Sequence, residues 1–416
     1  MATADTSASP APLAAPLDAV RPVAESARLG SLDIFRGLTI AGMILVNDPG
    51  SWDNIYWPLD HAPWNGWTPT DLIFPFFLFI VGVSMAFSFA ARQGRGAKRG
   101  ALALHVLRRS AIIFAIGLFL NGFPYFHLGR MRITGVLQRI AVCYLAAGLV
   151  VLFSGLFSGL LSGLGNADRP DGSRRGGRRG VVVVSAVIVL LLAGYWALMT
   201  FVPVPGYGAG RLDPDGNLAA YLDRRLMLGH LWRPTWDPEG FLSTLPAIAT
   251  TLIGALAGAW LRSRQTPRRK VAGLLAAGAA GLLAGRLLDP FFPINKNLWT
   301  STYVIFTGGF AMALLAAIYW LVDIRGYRRW GAPFVVFGTN SILVFSLSTL
   351  LAKASVVFKV TRADGRLVSW HGYVYQRFFA PLATPKNASL LFALAFLLLW
   401  LGLTWLLYRR RIFVKI

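Results

Sequence analysis

Residues 59–82 read LDHAPWNGWTPTDLIFPFFLFIVG, which places Asp60, His61, Trp64, Asn65, Trp67, Thr68 and Asp71 at the mouth of an almost unbroken apolar run. Neutral imidazole titrates near physiological pH and can take a proton from an attacking hydroxyl or amine. His61 is therefore a candidate general base, with the nearby carboxylate of Asp71 as its candidate partner. Each residue also has a plainer reading. Thr68 can cap a helix, Pro69 suits its first position, and Asp71, three residues after Thr68, can complete a capping box. Trp64 and Trp67 suit an interfacial aromatic belt, and a lone loop histidine can simply be a surface residue.

A second set of polar groups lies inside or at the ends of apolar segments. Residues 28–50 read RLGSLDIFRGLTIAGMILVNDPG, with Asp33 and Arg36 three apart and able to pair on a helix. Asn47 follows Arg36 by eleven residues, which returns to nearly the same helix face about 16 Å further along the axis. Gly37 and Gly42 permit close helix approach. In the plainer reading Arg36 snorkels to an interface and Asn47 ends the helix. Further on, ITGVLQRIAVCYL (133–145) carries Gln138 and Arg139 within an apolar span. Arg286 and Asp289 precede Asn295, Lys296 and Asn297 in PINKNLWTSTYV, and Asn340 and Ser341 lie in FGTNSILVFS. Ionisable groups at membrane depth are costly and face the protein interior. The expectation is that these groups converge on one side of a bundle, for chemistry or as salt bridges between helices.

The elements that must hold these groups are long apolar helices. Of the 416 residues, 55% are hydrophobic and 14% charged, with a mean hydropathy of +0.56; soluble domains carry about 25% charged residues. About 20 apolar residues cross a hydrocarbon core of roughly 30 Å. The expected architecture is all-α, a polytopic integral membrane helix bundle with about ten transmembrane helices. The ten spans lie near 32–47, 72–91, 107–123, 133–155, 181–202, 242–261, 271–288, 301–322, 333–352 and 389–408. Residues 1–27, rich in Ala and Pro, read as a disordered cytoplasmic tail, and 28–416 as one transmembrane domain.

The net charge of +23 is spread in short basic clusters between spans. With the amino terminus inside, inner segments hold 25 Lys and Arg and outer loops 13, as the positive-inside rule expects. That places both termini in the cytoplasm and argues against nucleic acid as a partner, leaving the lipid bilayer as the main one. A single cysteine, Cys143, excludes disulfides and cysteine metal sites, and no metal is expected. His61, His127, His230 and His371 all fall in outer loops, and the long outer segments 203–241 and 353–388 read as unstructured loops of a functional kind. No internal repeat is visible, which disfavours a transporter built from inverted repeats.

SLDIFRGLTIAGMILVN, HAPWNGWTPTDLIFPFFLFIVG, RITGVLQRIAVCYL and NKNLWTSTYV together resemble the heparan-alpha-glucosaminide N-acetyltransferase family and its bacterial homologues, from about residue 30 to the carboxyl terminus. The resemblance implies acetyl transfer from cytosolic acetyl-CoA to an amino sugar or glycan on the far side of a bacterial inner membrane, and a possible homodimer. It places the family's active-site histidine on His61, its span-ending asparagine on Asn47 and its aspartate on Asp71, as the catalytic set. Arg36, Gln138 and Arg139 are expected at the acetyl-CoA, and Trp64, Asn65, Asn295, Lys296 and Asn297 at the acceptor. In this scheme Asn47 or Arg139 stabilises the oxyanion. The LDxxRG start also resembles the acyltransferase-3 family, whose Arg is followed by a His where this sequence has Asn47; that departure moves the histidine's work to His61. The competing reading is a sugar or lipid permease or flippase without acyl transfer.

Overall fold

A computed structural model describes residues 29–156, 172–362 and 365–414. The tail expected over 1–27 lies outside the described residues. The apolar runs form helices because burying a chain in hydrocarbon requires every backbone N–H and C=O to be paired internally. In chain order these are α1 (Gly30–Asn47), α2 (Ile73–Gly94), α3 (Arg99–Gly122), α4 (Val136–Ser154), α5 (Gly172–Phe201), the short α6 (Leu218–Met227), α7 (Thr244–Arg262), α8 (Pro267–Leu288) and α9 (Ser301–Tyr319). Then follow α10 (Ala332–Thr339), α11 (Ser341–Val357), a hairpin of β1 (Lys359–Thr361) and β2 (Leu367–Ser369), α12 (Trp370–Val374) and α13 (Pro385–Arg409). The chain is an all-α membrane bundle.

Of the ten expected spans, one falls out of the count and another is bent. Among the described residues eight helices are long and apolar enough to cross a membrane, and a ninth span is the pair α10–α11, bent by 75° at Asn340. Helix α1 is not one of the eight: it carries Asp33 and Arg36 and lies at the centre of the bundle, packed by α2, α9, α10 and α13. Around it, α5, α8 and α13 leave most of their apolar side chains exposed and form a lipid-facing rim.

Small residues set how closely the central helices approach. A Cβ on Gly37 would lie 1.6 Å from the Phe334 carbonyl oxygen of α10, and one on Gly82 would lie 1.9 Å from the Thr251 carbonyl oxygen of α7. Only glycine allows these contacts, so α1–α10 and α2–α7 are backbone-to-backbone pairs, the membrane mode of tight packing.

Asn340 does not join the other polar groups. Its Nδ2 donates to the Ile412 carbonyl at 3.0 Å and its Oδ1 accepts from the Val414 N–H at 2.8 Å. The broken span is thus tied to the segment after α13, at the end of the bundle opposite His61. Its carboxamide pairs one N–H and one C=O of the chain that follows α13, which is its physical reason for sitting there.

The two long segments are folded rather than unstructured. Residues 203–241 hold α6, capped by Asn217, whose Oδ1 accepts from Ala220 N at 2.8 Å. With Tyr195, Met199, Val204, Leu218, Leu242, Phe292 and Leu298 they form a small apolar core separate from the main one. Residues 353–388 hold the hairpin and α12. Both lie on the face of the bundle that carries His61.

Candidate functional site

The loop before α2 returns to the bundle through one carboxylate. Asp71 lies in a single 3-10 turn, Pro69–Leu72, that leads into α2, and it is 1% exposed. Its Oδ2 accepts from Thr68 N and from Ala62 N, both at 3.0 Å, and completes a capping box with Thr68. Its Oδ1 accepts from His61 Nδ1 at 2.6 Å. The carboxylate thus caps the turn with one oxygen and binds the imidazole with the other. Because the carboxylate accepts, Nδ1 carries the ring hydrogen and Nε2 presents a lone pair. The Asp71 backbone carbonyl accepts from the buried Tyr303 hydroxyl of α9, which locks the turn to the bundle core. The His61 side chain remains 42% exposed, so one edge of the ring is open to an incoming molecule.

The segment between α8 and α9 reaches the same place. Lys296 Nζ lies 2.9 Å from His61 Nδ1 and 3.2 Å from Nε2, and 3.5 Å from Asp71 Oδ1. Asn295 is fully buried, and its Nδ2 donates to Asn65 Oδ1 at 3.0 Å. That bond staples the α8–α9 segment to the His61 loop, as does the Gly66 N–H on the Ile294 carbonyl at 2.7 Å. Trp64 Nε1 donates to the Leu212 carbonyl at 2.8 Å, and its ring meets Trp236 edge-on at 5.1 Å. Asn297 is half-buried beside them.

The remaining sequence candidates sit elsewhere. Asn47 ends α1 with an exposed side chain and no hydrogen bond to the described residues. Arg36 ties helices together: it pairs with Asp33 at 3.3 Å, donates to the Gly338 carbonyl of α10 at 3.2 Å, and donates to Ser84 Oγ of α2 at 2.7 Å. Gln138 is buried with its Nε2 unpartnered among the described residues. Arg139 is 2% exposed, donates to Ser243 Oγ and the Gly240 carbonyl, and stacks 5.1 Å over the Trp299 ring. Contacts from Arg139 to His61 run through Trp299, Tyr303 and Asp71 rather than directly.

Sequence reasoning missed a charged network around the site. Arg132 binds both Asp237 (2.6 Å) and Glu239, and Asp237 also accepts from Thr134 Oγ1 at 2.6 Å and Trp232 N at 2.8 Å. The carboxylates hold the Arg132 guanidinium firmly charged, and Arg132 holds the Asp237 carboxyl below its usual range against its burial. Burial pushes the Lys296 ammonium below the usual lysine range, while the negative charges of Asp71 and Glu239 resist that change. Burial raises Asp48 to about 7 and Asp223 to about 7. Residues 232–239 read WRPTWDPE, whose only sequence signal is the density of tryptophan and carboxylate in a long segment.

Residues 28–164, which include α1, the His61 loop, Asp71 and Arg139, match the family described as heparan-alpha-glucosaminide N-acetyltransferase, catalytic. Over 365 residues, 76% of this chain, the sequence is 32% identical to the heparan-alpha-glucosaminide N-acetyltransferase of Homo sapiens, of which it covers 52%. The Mus musculus protein of the same name is 32% identical over 360 residues, 76% of this chain and 53% of its own. The chain belongs to this family. It spans about half the length of the relatives it matches. As a member of the heparan-alpha-glucosaminide N-acetyltransferase family, it sets its His61–Asp71 pair within the stretch that matches the catalytic description.

Proposed function

We propose that this membrane protein transfers an acetyl group from acetyl-CoA to the amine of an amino sugar or glycan at the His61 face. The observation that carries the reading is the 2.6 Å bond from His61 Nδ1 to the buried Asp71. That bond fixes the tautomer and leaves the Nε2 lone pair, 3.2 Å from Lys296 Nζ, as the basic position, the arrangement in which a third group orients a catalytic imidazole. The acceptor amine attacks the thioester carbonyl and its proton passes to Nε2. The C–S bond then breaks, and the departing thiolate takes the proton. His61 and Asp71 form the proposed catalytic pair, with Asn47 exposed at the end of α1 and Trp64, Asn65 and Asn295 shaping the acceptor side.

Acetyl-CoA would be supplied from the opposite end, where Arg92, Arg95, Lys98, Arg99, Arg264, Arg268 and Arg269 are concentrated. The positive-inside rule makes that end cytoplasmic, which corresponds to a bacterial inner membrane with both termini inside. Purified protein incubated with acetyl-CoA and a panel of amino sugars should release free thiol and form N-acetyl product. His61→Ala should lower kcat by about 10²–10⁴-fold, the usual worth of a positioned base. Full activity of that variant would remove His61 from the chemistry.

A further inference from the structure

We propose that Lys296 is the oxyanion donor of this site, the group that holds the developing negative charge on the carbonyl oxygen under attack. This rests on the reading of His61 as the base.

An amine that gives its proton to Nε2 lies about 3 Å from it in the reacting complex. The carbonyl carbon it attacks, and the oxygen on that carbon, therefore lie in the space just beyond Nε2. Lys296 Nζ lies against the ring, 2.9 Å from Nδ1 and 3.2 Å from Nε2, and so borders that space. Its carboxylate neighbour, Asp71 Oδ1, is 3.5 Å away and already accepts from His61 Nδ1 at 2.6 Å. An ammonium has three hydrogens, and the open side of the ring is where the third can point.

The other candidates for this role fit less well. Arg139 points at Ser243 and Gly240 and is screened from His61 by Trp299 and Tyr303. The Asn47 side chain is exposed and has no bond that aims it at His61. Lys296 is instead held by its backbone on both sides. Asn295 Oδ1 accepts from Leu298 N at 2.8 Å, and the Trp299 N–H donates to the Lys296 carbonyl at 3.1 Å. With its side chain 19% exposed, the ammonium sits where surrounding water is scarce. A donor of that kind is worth more than in bulk solvent.

In the step itself, the amine nitrogen forms a bond to the carbonyl carbon while the carbonyl π electrons move to oxygen. Lys296 Nζ–H donates to that oxygen. When the C–S bond breaks, the electrons return to form the amide carbonyl, and the thiolate receives the proton carried by His61. Lys296 must be protonated to act, and burial favours its neutral form. The charged and titratable groups facing it are His61, Asp71 and Glu239.

The test uses full-length protein in detergent, acetyl-CoA and glucosamine, with thiol release followed from pH 5.5 to 10. Lys296→Met should lower kcat by about 10²–10³-fold, the cost of one oxyanion donor, with the KM for acetyl-CoA nearly unchanged. Lys296→Arg should restore much of the lost rate. The wild type should lose kcat on the alkaline side below the usual lysine range, and Lys296→Met should lack that limb. A structural role alone would move neither the limb nor the response to Arg. A Lys296→Met kcat within threefold of wild type overturns the assignment. Should that variant fail to fold, a wild-type profile flat to pH 10 overturns it instead. An inactive His61→Ala beside a fully active Lys296→Met rejects Lys296 alone; a fully active His61→Ala, or no thiol release by the wild type, rejects both readings.

Discussion

Asp71→Asn separates the two tasks of one carboxylate. The substitution preserves shape but leaves a single acceptor oxygen where two are used. Suppose the remaining oxygen stays toward Thr68 N and Ala62 N. The amide NH2 then faces His61 Nδ1, which must give up its hydrogen, and the ring hydrogen moves to Nε2. An Nε2 that already carries hydrogen cannot accept a proton, so kcat should fall by about 10²–10⁴-fold with little change in stability. Suppose instead the oxygen faces His61. Two backbone N–H groups that now bind Oδ2 at 3.0 Å meet an NH2 donor, and the cap is lost. A lost cap costs about 0.5–2 kcal/mol, and an unsatisfied buried donor costs about 1–3 kcal/mol. The two orientations trade activity against stability, so every preparation should lose one or the other. Thiol release and thermal unfolding in the same detergent sample distinguish them. Wild-type kcat together with a wild-type melting temperature would refute the account of Asp71.

Three further outcomes follow from the packing and the charges. Gly37→Leu should prevent α1 and α10 from meeting at the Phe334 carbonyl, lowering stability by at least about 1–3 kcal/mol, read as a drop in melting temperature or in folded yield. Arg132→Met strands Asp237, whose side chain is fully buried, and Glu239; removing one partner of such a cluster costs about 3–5 kcal/mol, and thermal unfolding should show it. Burial raises Asp48 to about 7 in the folded protein from an ordinary 3.8, so the folded state holds its proton longer than the unfolded state does. The stability contributed by this protonated form is present at low pH and is lost as pH rises from about 4 to about 7. Asp48→Asn, beside His371 at 3.7 Å, should therefore gain stability relative to wild type at pH 8 compared with pH 5, by thermal unfolding across that range.

Much of this was legible in the chain because the signals are local. The helix start at Thr68–Asp71 follows from residue order, and the Asp33–Arg36 and Arg286–Asp289 pairs follow from helical spacing. Apolar length alone locates most spans. Other features depend on contacts that no window contains. At the bend, Asn340 bonds residues 72 and 74 positions later. Central burial of α1 depends on α10 rather than on its own hydropathy, and residues 203–241 fold because Tyr195, Phe292 and Leu298 come to them from other segments. At the site, the pairing of His61 with Asp71 could be read from one motif. Lys296, 235 residues away, could be placed on the acceptor side, but its contact with the ring itself could not be read from the chain.

The small apolar core over the His61 face has a consequence for how such a protein diversifies. Tyr195, Leu218, Leu242 and Phe292 are buried among themselves, apart from the contacts that hold the bundle. The same segment presents Trp236 and Glu239 toward the reacting residues. Substitutions on that lid can therefore remodel what enters from above while the membrane scaffold and the imidazole–carboxylate pair below keep their geometry. What meets the His61 face and what meets the bilayer are then set largely by different side chains, joined through Tyr195 and Met199 of α5.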